Sequence, residues 1–257
     1  MFDDNLEKLC DSIAEEINAT DNLVSLKSVE LKYNLIPHPH IGYRFGERYL
    51  INNDKPSAFK HFIHSCSLAL NNTNSWINTG YANSVGHCYY YLLTQYTYDV
   101  KYNHILSKMF ANAYMNLSVC VINMKEEAYD SCRTRGKLTE NYSHPTSDQI
   151  LIDYFNPNIL LEKNVLSIGD YFLAAIGLRK YGKQKDSDIC MNWANQKFTQ
   201  VQESYYFFIN PNMELYEFVE ISEEASLKFV NSLLKAYQAG KFNITENEWN
   251  EISNSQN

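Results

Sequence analysis

The sequence predicts an all-α protein, either an irregular helical bundle or a short, degenerate α-solenoid of helical hairpins. Only nine glycines and six prolines occur in 257 residues, which is too few for the many tight turns of an all-β chain. Apolar residues instead recur at spacings of three and four in one segment after another, which is the period of an amphipathic helix. No clean internal repeat and no tetratricopeptide consensus accompany this pattern.

In the first half of the chain, four helices are predicted. The first carries an apolar stripe made of Leu6, Leu9, Ile13 and Ile17. A second is predicted to begin near Asp54, with Pro56 in its first turn, where a proline costs no helical hydrogen bond. Two more are predicted over residues 82–98 and 103–127. Before the second helix, Val29–Leu35 alternates in polarity, which leaves a short strand open there.

A polar stretch over residues 131–145 predicts a loop, because it ends in a proline-containing turn. Its three basic residues are an alternative site for an anion: Arg133, Arg135 and Lys137. The chain is accordingly predicted to form a single all-α domain over residues 1–257. Two intimate subdomains, 1–130 and 146–257, joined by the loop, are the alternative.

The second half predicts a further series of helices, over residues 147–155, 167–180, 186–202, 213–221 and 223–239 and after Thr245. Ser222 is predicted to cap the helix over residues 223–239, and Gly240 to end it. Thr245 and Glu248 have the spacing of a capping box. The aromatic segment Tyr205–Ile209 leaves a second short strand open.

The segment Gly86–Tyr98 (GHCYYYLLTQYTY) holds five of the 20 tyrosines. Wound as a helix at about 100° per residue, it directs Tyr89 and Tyr96 towards the core. The opposite face carries three residues that we predict to contact a partner: His87, Tyr91 and Tyr98. Tyrosine is enriched at interface hot spots because it offers a large rigid surface and one polar tip. Burial of this face under another helix is the alternative.

The segment Met213–Glu224 (MELYEFVEISEE) predicts a second contact surface. As a helix it buries Leu215, Phe218 and Val219 and leaves an acidic ridge outside. If the winding continues, the ridge consists of Glu217, Glu220 and Glu224. Such a ridge complements a basic groove, for example the substrate site of a nuclease. A solvated helix face without a partner is the alternative.

The composition restricts the partner and the compartment. A net charge of −8 argues against a nucleic-acid partner, which requires a basic face, and favours a protein partner with a basic surface. No apolar segment is long enough to predict a membrane span. The acidic N-terminal segment lacks the pattern of a signal peptide, and the six cysteines form no paired motif. We therefore expect a cytoplasmic protein with buried, reduced cysteines.

No motif predicts catalysis, a cofactor or a metal site. His61 and His64 have a spacing that suits a metal, but Leu68 stands where a third ligand would follow, and both are predicted to be exposed. His38 and His40 flank Pro39 in a predicted turn. The sequence contains neither a nucleophile elbow nor a glycine-rich phosphate loop. We expect no catalytic residue, no bound metal and no cofactor.

Taken whole, the chain resembles the all-helical immunity proteins encoded beside toxins in bacterial competition systems. The resemblance rests on the acidic helical-hairpin body and on three segments: Arg48–Asp54 (RYLINND), Phe59–Phe62 (FKHF) and Tyr171–Arg179 (YFLAAIGLR). It implies a non-enzymatic protein that binds one cognate toxin and blocks its active site or the access of its substrate.

Two other classes of function stay open. The first is a helical-repeat scaffold or regulator that binds a host peptide or protein in a concave groove. The second is an enzyme that depends on a metal held by His61 and His64. The sequence does not specify the partner's identity or the oligomeric state.

Overall fold

A computed structural model of the protein describes residues 4–33, 36–71, 81–122, 128–141, 145–154, 163–204, 210 and 212–256. These residues form twelve α-helices and one 3-10 turn (Val100–Tyr102), and no strand occurs among them. The predicted all-α class is therefore confirmed. The helices are α1 Asp4–Asn18, α2 Leu23–Tyr33, α3 Pro39–Ile51, α4 Lys55–Asn71, α5 Ala82–Thr94, α6 Asn103–Ile122, α7 Ala128–Asn141, α8 Pro145–Tyr154, α9 Lys163–Lys180, α10 Gln184–Ser204, α11 Leu215–Gln238 and α12 Glu246–Asn254.

The helices belong to two compact units. Unit 1 comprises Met1–Tyr102 together with Ile244–Asn257, and unit 2 comprises Asn103–Asn243. The division falls elsewhere than the boundary predicted at residues 131–145, which lies inside unit 2. None of the described helices has the length and apolar character needed to cross a bilayer.

Unit 1 is built around the pair α3 and α4, with α1, α2, α5 and α12 packed against one or both of them. Two glycines of α3 permit this close approach. A β-carbon at Gly42 would collide with the side chain of Ser65, and one at Gly46 would collide with the ring of Phe62. The turn predicted around Pro39 was wrong, because Pro39 is the first residue of α3 and His38 is its N-cap.

Unit 2 is organised around α9, which packs against α7, α10 and α11. Its apolar clusters lie on both sides of this helix. One joins α9 to α10 and α11 and contains Val165, Ile168, Phe198, Val201, Phe218 and Val219. The other joins α9 to α7 and α10 and contains Cys132, Ala174, Ala175, Leu178 and Cys190.

The prediction of a loop at residues 131–145 was wrong, because helix α7 spans most of this segment. Four of its polar residues are buried within unit 2, and three of these, Ser131, Arg135 and Thr139, are no more than 3% exposed. Arg135 donates hydrogen bonds to Asp170 on α9 and to Ser118 Oγ on α6, the latter at 3.0 Å. Polarity suggested a solvated loop, but these groups hydrogen-bond to one another inside the unit.

Two other local predictions were wrong. Val29–Tyr33 lies in α2 and forms no strand. Ser222 does not cap a helix, because α11 runs unbroken through it and its hydroxyl donates to the carbonyl of Phe218 at 2.7 Å. A serine inside a helix satisfies its hydroxyl in this way without a cap. The possible strand Tyr205–Ile209 lies outside the described residues.

Several helix ends follow the sequence signals. Asp54 accepts the backbone N–H of Ser57 at 3.1 Å at the start of α4. Thr245 and Glu248 form the predicted capping box of α12, with the Thr245 N–H donating to Glu248 Oε2 at 2.8 Å. Gly240 follows α11 with a φ of 72°, the left-handed conformation that glycine adopts readily after a helix. Five of the six cysteines are buried, as expected: Cys10, Cys66, Cys88, Cys132 and Cys190.

Candidate partner-binding surface

Helix α11 holds the acidic ridge on one side and core residues on the other. Phe218, Val219 and Phe229 are each at most 3% exposed, so this side is fixed against unit 2. Ser222 meets α9 at Gly169, where a β-carbon on the glycine would lie 3.3 Å from the serine β-carbon. The inner side of α11 is therefore packed against the rest of unit 2. This packing fixes which residues of the helix face outward.

The outer side carries the three predicted glutamates, Glu217, Glu220 and Glu224, all of them exposed. Because α11 continues through Ser222, Glu224 joins the other two on the same side. A fourth glutamate, Glu223, was not predicted to belong to the ridge, but it is also exposed and lies beside the other three. The structure thus brings the predicted acidic ridge together and extends it by one carboxylate.

Three large apolar side chains stand among the glutamates. Tyr216 is 54% exposed, Ile221 41% and Leu227 54%. At about 100° per residue, they share less than half of the helix circumference with the glutamates. We refer to this group as the α11 surface: Tyr216, Glu217, Glu220, Ile221, Glu223, Glu224 and Leu227.

The carboxylates of the α11 surface differ in their partners. Glu217 accepts the backbone N–H of Glu214 at 3.0 Å, so it also stabilises the N-terminus of α11. Glu224 pairs with Lys228 at 2.6 Å, and the hydrogen bond from that lysine lowers the pKa of Glu224. Partial burial, followed by the charge of Glu220, raises the pKa of Glu223. Negative charge is consequently least compensated around Glu220 and Glu223.

A cavity of about 230 Å³ lies within unit 2 beside the α11 surface. Helices α6, α7 and α9 contribute Ser118, Arg135 and Leu173 to its wall, and α11 contributes Glu223, Ser226, Leu227 and Val230. Glu223 and Leu227 are exposed, whereas Arg135 and Val230 are buried. The cavity therefore runs from the α11 surface towards the interior of unit 2.

The chain matches no protein-family model, no curated protein and no solved structure. The resemblance to immunity proteins accordingly stays a prediction. The case for a site on this protein depends on the geometry and the charge of its own residues.

The other predicted contact face, on α5, is covered by unit 1, which corrects its predicted exposure. His87 is 8% exposed, its Nδ1 lies 2.8 Å from the carbonyl oxygen of Asn83, and its ring lies 5.7 Å from that of Tyr43 on α3. Tyr91 is half-buried and stacks on Phe62 at 5.1 Å. The covering helix α3 was not predicted, and for that reason the face looked free.

Three further tyrosines of this segment, Tyr89, Tyr96 and Tyr98, make contacts within unit 1. Tyr98 lies beyond the end of α5, and its hydroxyl donates to the carbonyl of Leu92 at 2.7 Å. Tyr89 is 1% exposed and packs on Trp249 of α12 at 6.2 Å, as predicted for a core residue. Tyr96 is half-buried and donates to the carbonyl of Lys55 at 2.9 Å. His87 is therefore buried, and Tyr91 and Tyr98 are half-buried and held by contacts within unit 1.

His61 and His64, the two histidines with a spacing that suits a metal, lie in different surroundings. His64 is exposed as predicted, but His61 is half-buried, stacks on the rings of Phe45 and Tyr49, and lies 3.1 Å from Glu30 Oε1. Burial lowers the pKa of His61, although the nearby Glu30 opposes this shift. Within the described part of the chain, no group of three or more His, Cys, Asp or Glu side chains is placed to hold a metal ion.

Sequence reasoning missed the buried pair of Arg135 and Asp170 and the exposed apolar residues of α11. A signal for the latter was present, since Tyr216 and Leu227 fall on the same side as Glu220 once the helix is extended through Ser222. No comparable signal marked Arg135, because its partner Asp170 is 35 residues away on another helix.

Proposed function

We propose that this protein is a cytoplasmic immunity protein that binds a cognate bacterial toxin and neutralises it by stoichiometric contact, without catalysis of its own. The observation that carries the proposal is the α11 surface, where exposed apolar side chains stand among carboxylates. This proposal also follows the resemblance of the chain to helical immunity proteins. The partner it implies is a protein with a basic groove.

The apolar residues supply a reason for binding. Tyr216 and Leu227 each leave 54% of their surface exposed, and removing such surface from water stabilises a complex. Scattered apolar residues are common on protein surfaces, but these belong to one helix and one side of it. A rim of charge around a few apolar anchors is the usual composition of an interface.

The carboxylates would orient a basic partner and increase its rate of association. With a net charge of −8, the protein attracts a basic partner over distances comparable to the Debye length of about 8 Å at physiological salt. Glu220 and Glu223 carry the least compensated charge of the α11 surface. A partner cation placed on them would occupy the region where the toxin's own anionic substrate binds, which is how contact alone would inhibit the toxin.

The direct test is co-expression with the product of the gene that neighbours this one. We expect growth arrest by that product to be relieved by this protein, and the two to form a 1:1 complex measurable by calorimetry. A neighbouring product that is not toxic, or a toxin that is unaffected, would contradict the proposal. Association with a peptide of the host instead would favour a scaffold or regulator.

The α11 surface is tested by charge reversal in the same assay. We expect E220K/E224K to weaken the complex at least tenfold and to lose most of its dependence on salt. The matched control is E15K/E251K, which changes the net charge equally at exposed positions on α1 and α12. If both double variants weaken binding to the same degree, overall charge and not the α11 surface determines affinity.

A further inference from the structure

The cavity beside the α11 surface has the size and lining of a receptor for one side chain. Its volume of about 230 Å³ is below the roughly 300–1,000 Å³ of sites that enclose drug-sized ligands. Leu173, Leu227 and Val230 form its apolar walls, and Leu227 stands at the exposed end. An aliphatic side chain inserted there would be shielded from water by groups that are already in place.

The polar groups that line the cavity differ in whether they already have a partner within the protein. The charge of Arg135 is compensated by Asp170, and its Nη1 donates to Ser118 Oγ at 3.0 Å. Ser226 Oγ lies 3.4 Å from the hydroxyl of Tyr114. No described cation or hydrogen-bond donor compensates the carboxylate of Glu223, which stands at the exposed end. Negative charge at the opening is therefore the main electrostatic feature that an occupant meets.

We propose that this cavity receives one aliphatic side chain of the partner, with a lysine or arginine beside it that pairs with Glu223 and Glu220. The inference rests on the proposed function and specifies the chemistry of its partner: an apolar anchor flanked by a cation. Glu220 precedes Glu223 by one helical turn, so one basic side chain reaches both. A partner cation would also offset the burial and the repulsion that raise the pKa of Glu223.

The cavity is tested without the partner by three fragments that share a 3-methylbutyl group and differ in charge: isoamylamine, isoamyl alcohol and isocaproate. Methyl resonances of Leu173, Leu227 and Val230 are followed by NMR in the full chain, with Leu26 in unit 1 as the distant reference. We expect saturable shifts at millimolar concentrations. The amine should bind up to about fivefold more tightly than the alcohol, and the carboxylate should bind most weakly.

Two variants separate the contributions. E223Q should reduce the affinity for the amine to that for the alcohol, and S226L should remove all saturable shifts by filling the cavity. Methyl spectra of each free variant verify that it is folded. Absence of saturable shifts in the native chain, or tightest binding of the carboxylate, would overturn the inference. Neither outcome affects the toxin-neutralisation assay, so the two proposals fail separately.

Discussion

Arg135 and Asp170 form an ion pair in which the two side chains are only 4% and 2% exposed. The pair joins α7 to α9, and Arg135 also lies over the ring of Tyr114 on α6, 5.4 Å from its centroid. Burial raises the pKa of Asp170, and the guanidinium of Arg135 opposes that shift. Arg135 Nε and Asp170 Oδ2 have no hydrogen-bond partner among the described residues, so the pair is incompletely satisfied.

We expect D170A to destabilise the protein by about 3–5 kcal/mol, because it leaves the guanidinium of Arg135 buried without a counter-charge. The double variant R135M/D170L removes both charges and should recover most of that loss. Urea denaturation of the native protein and both variants measures the free energies of unfolding. A double variant less stable than D170A would show that the pair contributes more than mutual neutralisation.

Leu227 is expected to be an anchor of the proposed interface. We predict that L227A weakens the complex with the toxin by about 1–2 kcal/mol, roughly five- to thirtyfold. The control is I189A on α10, which truncates a side chain that is 46% exposed away from the α11 surface. Calorimetric titration compares the two, and equal losses would remove Leu227 from the interface.

His38 and His40 make unit 1 sensitive to acid. Burial lowers the pKa of His38 to about 4 and that of His40 to about 3, the latter with help from the charges of Arg44 and His38. Both folded values lie below the ordinary 6.5, so the unfolded chain binds protons that the folded protein does not. Stability should therefore fall as the pH drops below 6.5 and towards 4.

We expect a combined loss of about 2 kcal/mol at pH 5, which allows for partial solvent access to both rings. The variant H38N/H40N should reduce this dependence, because asparagine does not titrate but keeps an acceptor at the N-cap of α3. Urea denaturation at pH 5 and pH 7 measures the difference. H64N, at an exposed position, is the control for the replacement of a histidine by asparagine.

The close packing of α3 on α4 predicts a large effect from a small substitution. We expect G46A to destabilise the protein by about 1–3 kcal/mol, because the added methyl group meets the ring of Phe62. Replacing that ring in G46A/F62L should recover part of the loss. Thermal unfolding of both variants tests this, and an unchanged Tm for G46A would contradict the packing.

Tyr91 should matter for stability and not for partner binding. We expect Y91A to cost about 3 kcal/mol by removing the ring that stacks on Phe62. Y91F should be nearly neutral, because the hydroxyl lies 3.4 Å from Glu47 Oε1 and makes only a weak hydrogen bond. Loss of toxin binding by a stable Y91F variant would restore this tyrosine to the interface.

Helices with a clear apolar stripe were predictable from the sequence because period and capping agree. In α12, the stripe ending in Trp249 and Ile252 coincides with the capping box at Thr245, so both signals give the same boundary. In α7 they conflict, because Arg135 and Thr139 are polar but buried. Local polarity does not reveal a partner on another helix, and the sequence therefore predicted a loop.

The candidate surface was predictable only in part. Glu217 and Glu220 were placed correctly because one continuous helical turn separates them. The exposure of His87 was predicted wrongly, since burial depends on α3, a helix whose start at Pro39 resembles a turn. The cavity beside Glu223 involves residues from α6, α7, α9 and α11, a juxtaposition that a single sequence does not encode locally.

The division of the chain has a consequence for the order in which the protein folds. Helix α12 belongs to unit 1 but is synthesised after the whole of unit 2. The residues that follow this helix also contact the rest of unit 1 across a long stretch of sequence. The side chain of Gln256 donates a hydrogen bond to the carbonyl of Thr97, 159 residues away. Contacts of such separation form slowly. On the ribosome, all residues of unit 2 are therefore available before the last residues of unit 1. The packing of Tyr89 on Trp249 can form only after α12 has been synthesised.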